Sequence, residues 1–304
     1  MTPTQPNRAL IVGASGQLGT ALIAQLGDTA LPAARRQLDP SWLHLDLEEI
    51  AATPSLLDGL IAQHNITAVY CAAGATDVER CESDPAWAAA ANHLGPLALA
   101  RAARNIPFAF FSTDYVFDGL EHHGPGSAGP YAESDPTNAL SVYGQTKLDG
   151  ERAILDAHPN ALILRTTTVY GPDPQSKNFL YTLSRVINAG NTMRVPTDQL
   201  ATPTYVDDLA TASIALLNEH RTGIFHLAGP SFLSRYDFSL LACEILGLPT
   251  SHVQPLTTPE LNQKAARPLL GGLRIDKLRA TLPNITMRSP ATGIQSWKAA
   301  TATA

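Results

Sequence analysis

The chain has 304 residues, of which 44% are hydrophobic and 16% charged, with a net charge of −6. That length and apolar content allow a sizeable core in two domains, or in one large domain with a lobe. The acidic balance argues against a nucleic-acid groove or an anionic membrane surface, and no apolar run approaches the ~20 residues that cross a bilayer.

Three cysteines (Cys71, Cys81 and Cys243) show neither CxxC nor metal-ligand spacing, so they read as reduced thiols in a cytoplasmic setting. The short polar lead from Thr2 to Arg8 has no secretory pattern. Ala9-Leu10-Ile11-Val12 then reads as a buried parallel strand. It enters Gly13-Ala14-Ser15-Gly16-Gln17-Leu18-Gly19 and a helical pattern from Thr20 to Leu26. Strand, glycine-rich turn and helix in that order are the setting of a dinucleotide site. Gly13 permits the turn, Gly16 admits a pyrophosphate and Gly19 lets the helix sit close to the strand, while the helix N-terminus faces the phosphates.

The second strand is expected near Thr29–Ala34, followed by Arg35 and Arg36 where the adenosine ribose would lie. Two guanidiniums there, with no carboxylate before Asp39, suit a 2′-phosphate, so NADPH is the expected cofactor and NADH the alternative. Leu43-His44-Leu45-Asp46-Leu47 reads as a third strand whose end, Asp46 and Leu47, meets the adenine. Leu56 to His64 reads as a helix and Ile66–Cys71 as the fourth strand, ending in Ala72-Ala73-Gly74-Ala75, small enough for a backbone to lie against the cofactor. Ser83-Asp84-Pro85 opens an alanine- and leucine-rich helix to about Arg104 that contains Asn92. That helix is expected to be buried against a neighbour, with a homodimer interface as one option.

Pro107–Phe111 is the fifth strand, and Ser112-Thr113-Asp114 at its carboxyl end should face the site. The loop from Leu120 to Pro136 carries His122 and His123, but no further ligands follow at useful spacing, so a flap is expected there and no metal. Next, Tyr143 and Lys147 stand four apart on one helical face, the helix starting after Asn138 or Ser141. A free tyrosine, with a pKa of about 10, is a weak acid at neutral pH, and a nearby ammonium would lower that value. Such a phenol can protonate a carbonyl oxygen while hydride reaches its carbon. Ala161–Arg165 reads as the sixth strand, Asn178–Ala189 as a helix, and Gly223–Gly229 as another strand with His226 as a satisfied core residue. Capping patterns open helices at Thr204 and at Ser234, and the tail from Ala299 is expected to fray. Alternating strands and helices predict an α/β, doubly wound parallel sheet of the Rossmann type, with a smaller, mostly helical C-terminal lobe. The division expected is 1–168 with 203–228 for the dinucleotide domain, and 169–202 with 229–304 for the substrate lobe.

Gly13–Gly19, Phe111-Ser112-Thr113-Asp114-Tyr115-Val116-Phe117, Tyr143–Glu151 and Leu164-Arg165-Thr166 together carry a resemblance. The chain resembles the extended short-chain dehydrogenase/reductases, and within them the dTDP-4-dehydrorhamnose reductase branch. The resemblance implies an NADPH-dependent oxidoreductase acting on a nucleotide-linked 4-keto-6-deoxysugar. It further implies a triad of Thr113, Tyr143 and Lys147, with Asp114 on the sugar. The cofactor residues it implies are Gly13, Ser15, Gly16, Gln17, Leu18, Gly19, Arg35, Arg36, Asp46, Leu47, Ala73, Gly74, Ala75, Phe111, Tyr143 and Lys147. Thr168 stands where the branch carries a tryptophan that stacks on the sugar. Two other readings compete, a nucleotide-sugar epimerase or dehydratase that recycles NAD, and a non-catalytic partner similar to the regulatory subunit of methionine adenosyltransferase.

Overall fold

The structure is a computed structural model that describes residues 7–120 and 130–302. The first half alternates strands β1 (Arg8–Val12), β2 (Ala30–Ala34), β3 (Leu43–His44), β4 (Ile66–Cys71), β5 (Phe108–Thr113) and β6 (Leu162–Thr166) with helices. Those helices are α1 (Gln17–Leu26), α2 (Leu47–Ala52), α3 (Leu60–Gln63), α4 (Val78–Ser83), α5 (Pro85–Ala89), α6 (Gly95–Ala102) and α7 (Val142–Ala157). Shorter pieces follow: strands β7 (Val169–Tyr170), β8 (Met193–Pro196), β9 (Leu200–Ala201), β10 (Thr204–Tyr205), β11 (Gly223–His226), β12 (Leu233–Ser234) and β13 (Val253–Leu256). Between and after them lie α8 (Phe179–Asn188), α9 (Val206–Asn218), α10 (Arg235–Leu246), α11 (Asp276–Thr281) and α12 (Pro290–Ala302).

Among the described residues, seven strands form one parallel sheet in the order β11-β6-β5-β4-β1-β2-β3. The strand order turns back between β1 and β4, and a doubly wound sheet opens its ligand crevice at that point. Alternate residues feed the two faces. Leu10, Val12, Phe108 and Phe110 join the core under α2 and α6, while Ile11, Tyr70 and Phe111 join the core under α1 and α9. Each such side chain contributes roughly 1.5–3 kcal/mol by leaving water, which is why these runs become central strands. A third core around Tyr170, Leu183, Val195, Phe238 and Trp297 holds the smaller lobe.

Several expected elements differ. The third strand ends at His44, because Asp46 caps α2 by accepting the Glu48 N–H at 2.9 Å, and Leu47 begins that helix. Gly59, at φ 75°, splits the expected Leu56–His64 helix into a 3₁₀ turn and α3. The alanine-rich helix opens at Pro85 with Asp84 as its cap, but contains a π turn over Ala90–Leu94. It packs on α2 and α7 of the same chain, while its Leu94 stays 45% exposed. Thr204 pairs in β10 rather than capping α9, whereas Ser234 caps α10 through the Asp237 N–H at 3.0 Å. The C-terminal helix continues to Ala302, through most of the tail expected to fray. His122 and His123 lie outside the described residues. No helix among the described residues is long and apolar enough to cross a membrane.

Candidate active site

Burial brings Thr113, Tyr143 and Lys147 to one edge of the sheet. Strand β5 is buried throughout, and its last residue, Thr113, ends at the carboxyl edge with 6% of its surface exposed. The Ser141 hydroxyl caps α7 by accepting the Gly144 N–H at 3.2 Å, so Tyr143 falls in the first turn and Lys147 one turn later. Gly144 lets this turn approach Tyr115 closely, since a Cβ there would overlap the Tyr115 carbonyl oxygen. The Tyr143 ring meets the edge of Tyr115, centroids 5.4 Å apart. Thr113, Asp114, Tyr143 and Lys147 all line one cavity of about 450 Å³.

The electrostatics correct one expectation. Burial pushes the Tyr143 phenol above its ordinary value, and the Thr113 hydroxyl pulls it down in part. The largest influences on Tyr143 do not include Lys147, whose ammonium lies over the Phe110 ring, 4.2 Å from its centroid. Burial lowers Lys147 itself to about 8, against the raising influence of Cys71, Glu151 and Cys81. Tyr143 therefore keeps its proton at neutral pH, the form a general acid needs. Asp114 is buried, which raises its pKa, while Thr167 Oγ1 donates to Oδ2 at 2.6 Å and the Gly272 N–H at 3.3 Å.

The glycine-rich turn flanks the same cavity through Gln17, opposite Ala73, Gly74 and Phe111. Gly13, at φ 93°, could carry no side chain, since a Cβ would stand 2.6 Å from the Ala73 nitrogen. A Cβ on Gly19 would overlap the Gly13 carbonyl oxygen, so this glycine seats α1 against β1. At Gly16 a Cβ would meet only that oxygen, at 3.3 Å, which leaves its outer side open for a phosphate. These features fit a bound dinucleotide. Ser15 sits on the turn, and its carbonyl accepts Gln175 Nε2 at 2.9 Å.

Other expected cofactor residues are placed differently. Leu18 packs against the core under α1, and Leu47 is 4% exposed in the core on the other face. Ala75 is buried, and both its backbone groups bond Asn92, Oδ1 accepting at 2.8 Å and Nδ2 donating at 3.1 Å. Asp46 is occupied as a helix cap, with Arg35 Nε 3.9 Å away. Arg35 also pairs with Glu48 at 3.2 Å, whereas the neighbouring Arg36 is exposed. His226 is buried, with Nδ1 3.1 Å from the Tyr131 carbonyl, while Nε2 makes no hydrogen bond among the described residues.

Thr168 lines the cavity at φ 41°, a left-handed backbone that costs a β-branched residue of order 1–2 kcal/mol. Beyond it lies a second cavity of about 380 Å³ that shares Gln199, Arg235 and Arg267 with the first. Lys177, Arg194, Arg235 and Arg267 line it, and no acidic residue among the described residues does. Arg267 is engaged, donating to Glu79 at 2.8 Å and to the Tyr115 hydroxyl at 3.1 Å. Arg235 has no carboxylate partner among the described residues, and its guanidinium lies 5.0 Å from the Phe179 ring centroid. Sequence reading missed Arg235. Its one signal was its position just after the Ser234 cap, which says where the helix starts but not what it faces.

A family model described as the RmlD substrate binding domain matches residues 7–297. The chain belongs to the RmlD family. It is 33% identical to a probable low-salt glycan biosynthesis reductase, Agl14, of Haloferax volcanii over 285 residues, covering 90% of this chain and 92% of that one. It is 35% identical to the dTDP-4-dehydrorhamnose reductase of Mycobacterium tuberculosis over 263 residues, covering 86% and 82%. A crystal structure of the Bacillus anthracis dTDP-4-dehydrorhamnose reductase in complex with NADP superposes with a TM-score of 0.83 at 26% identity, covering 96% and 98%.

Proposed function

We propose that this RmlD-family chain is an NADPH-dependent reductase of a nucleotide-linked 4-keto-6-deoxysugar, with dTDP-4-dehydrorhamnose as the leading substrate. The observation that carries the reading is the meeting of the Thr113 hydroxyl, the Tyr143 phenol and the Lys147 ammonium in one cavity beside Ala73 and Gly74. Relatives named as dTDP-4-dehydrorhamnose reductases support the substrate, and the NADP-bound relative supports the cofactor.

In this reading residues 1–168 and 203–228 hold the cofactor, while 169–202 and 229–304 hold the sugar nucleotide. Gly13, Gly16 and the start of α1 would take the pyrophosphate, Arg36 the 2′-phosphate, and Lys147 the nicotinamide ribose. When bound, the reduced nicotinamide supplies hydride. Tyr143 gives its proton to the ketone oxygen, and Thr113 orients that oxygen by donating a hydrogen bond. The Lys147 cation stabilises the phenolate left on Tyr143. Arg235 and the other cations of the second cavity would take the diphosphate, whose charge pairs well with planar guanidinium groups. Three free thiols suit a reducing, cytoplasmic setting.

The test is NADPH oxidation across dTDP-, UDP-, GDP- and CDP-linked 4-ketosugars. Stoichiometric oxidation with the dTDP-linked ketone is expected. Protein that copurifies with NAD(H) and oxidises no added reductant with any of them would point instead to an epimerase or dehydratase.

A further inference from the structure

Helix α7 carries Tyr143, Lys147 and Glu151 at intervals of four residues, so all three lie along one face. The first two belong to the reaction just described, and the third is 1% exposed. Its carboxylate is held from both central strands. Arg165 of β6 donates Nε to Oε1 at 2.9 Å and Nη2 to Oε2 at 2.6 Å, and Ser112 of β5 donates Oγ to Oε1 at 2.5 Å. Ser112 and Arg165 are direct neighbours in the β5–β6 register, one residue before Thr113 and Thr166. Glu151 thus ties the helix face that bears Tyr143 and Lys147 to the strand end that bears Thr113.

Two buried charges are costly to desolvate, and apolar side chains of the same volume could hold these elements together equally well. What the ion pair adds is a fixed carboxylate one turn from Lys147. Among the described residues, the groups that most raise Lys147 are the Cys71 thiol from β4, Glu151 from its own helix and the Cys81 thiol from α4, with the Phe110 ring of β5 against its ammonium. Burial raises both thiols, Cys71 to about 12 and Cys81 to about 11, so they stay neutral at physiological pH. Glu151 is the one carboxylate of the set.

We propose that Glu151 is a positioning residue of the active site, locked by Arg165 and Ser112 so that it keeps Lys147 charged and in place beside Tyr143 and Thr113. The pKa of Lys147 agrees, since burial pushes it down to about 8 and Glu151 opposes that fall. The proposal rests on the reductase reading for its catalytic consequence, but not for its direct test.

The chain has five lysines, few enough to follow Lys147 by NMR in lysine-labelled protein. In Glu151→Gln the amide keeps the shape and loses the charge, and the Lys147 midpoint should fall by about one pH unit or more. The alkaline limb of kcat should move down with it, with turnover at pH 8 reduced about fivefold or more. Ser112→Ala leaves the ion pair intact, so it should lower kcat severalfold without moving the midpoint, and Glu151→Asp, which keeps a carboxylate, should show only part of the fall seen in Glu151→Gln. Should Glu151→Gln fail to fold, Glu151→Gln with Arg165→Met removes both charges, and a smaller shift in the same direction is expected. An unshifted Lys147 in either folded variant overturns the proposal. Because the NMR titration needs no substrate, a wrong substrate assignment would show only in the kinetics.

Discussion

Tyr143→Phe removes one oxygen and keeps the ring contact with Tyr115. If the phenol is the proton donor, kcat falls about 100-fold or more while NADPH still binds. Steady-state rates beside a fluorescence titration of NADPH separate the two, and near-normal turnover would remove Tyr143 from its role. At the other end of the cofactor, Arg36 is exposed, whereas Arg35 is engaged by Glu48 and Asp46. Arg36→Ala is therefore expected to weaken NADPH about tenfold relative to NADH, with a smaller effect for Arg35→Ala. Equal loss for both cofactors would mean that Arg36 does not meet the 2′-phosphate. At this scale the spacing of Tyr143 and Lys147 was legible, because helical periodicity sets it. The direction of the Tyr143 shift was not, because burial in the folded chain outweighs the charge of a neighbour along the helix.

The glycine-rich turn separates two roles that look alike in the sequence. Gly19→Ala drives a methyl into the Gly13 carbonyl oxygen, so it should cost stability, on the order of 2 kcal/mol or more, seen as a lowered Tm. Gly16→Ala meets only a 3.3 Å contact within the protein, so its Tm should be nearly unchanged while the KM for NADPH rises. The reverse pattern would put the phosphate-facing side at Gly19. Helix starts were legible where the side chain accepts an N–H of its own first turn, as at Asp84 and Ser234. They were not where the side chain is engaged elsewhere or alternation imitates a strand. The Thr204 hydroxyl donates to the Thr202 carbonyl at 3.1 Å, and Tyr205 takes the N-cap position of α9, so Thr204 is not the cap its spacing suggested. Leu43–Leu47 alternates like a strand, yet Asp46 with Glu48 and Glu49 behind it makes a helix start, where carboxylates meet the positive end of the dipole.

Across the whole molecule, the adjacent strands β6 and β11 bring Arg165 beside His226. Burial lowers His226 to about 3 from 6.5, and the Arg165 charge adds to the effect. The folded chain therefore holds His226 neutral, while the unfolded chain takes up a proton below pH 6.5. Stability falls as pH drops through that window, by about 1.4 kcal/mol per unit at most, and levels off near pH 3. His226→Gln should lose this part of the acid sensitivity, measured as the difference between wild-type and variant denaturation midpoints from pH 7 to pH 4. Parallel curves for the two proteins would show that His226 is not the group responsible.

The chain by itself determined the alternation of apolar strands and amphipathic helices, the glycine turn after β1 and the four-residue spacing of Tyr143 and Lys147. Each is written in residues close together, where periodicity and backbone freedom act. The meeting of Thr113 with Tyr143, the cations around Arg235 and the hold of Arg165 and Ser112 on Glu151 were decided only by the folded sheet. Like the bond between Glu79 and Arg267, 188 residues apart, those contacts depend on strand order and register to bring their groups within reach.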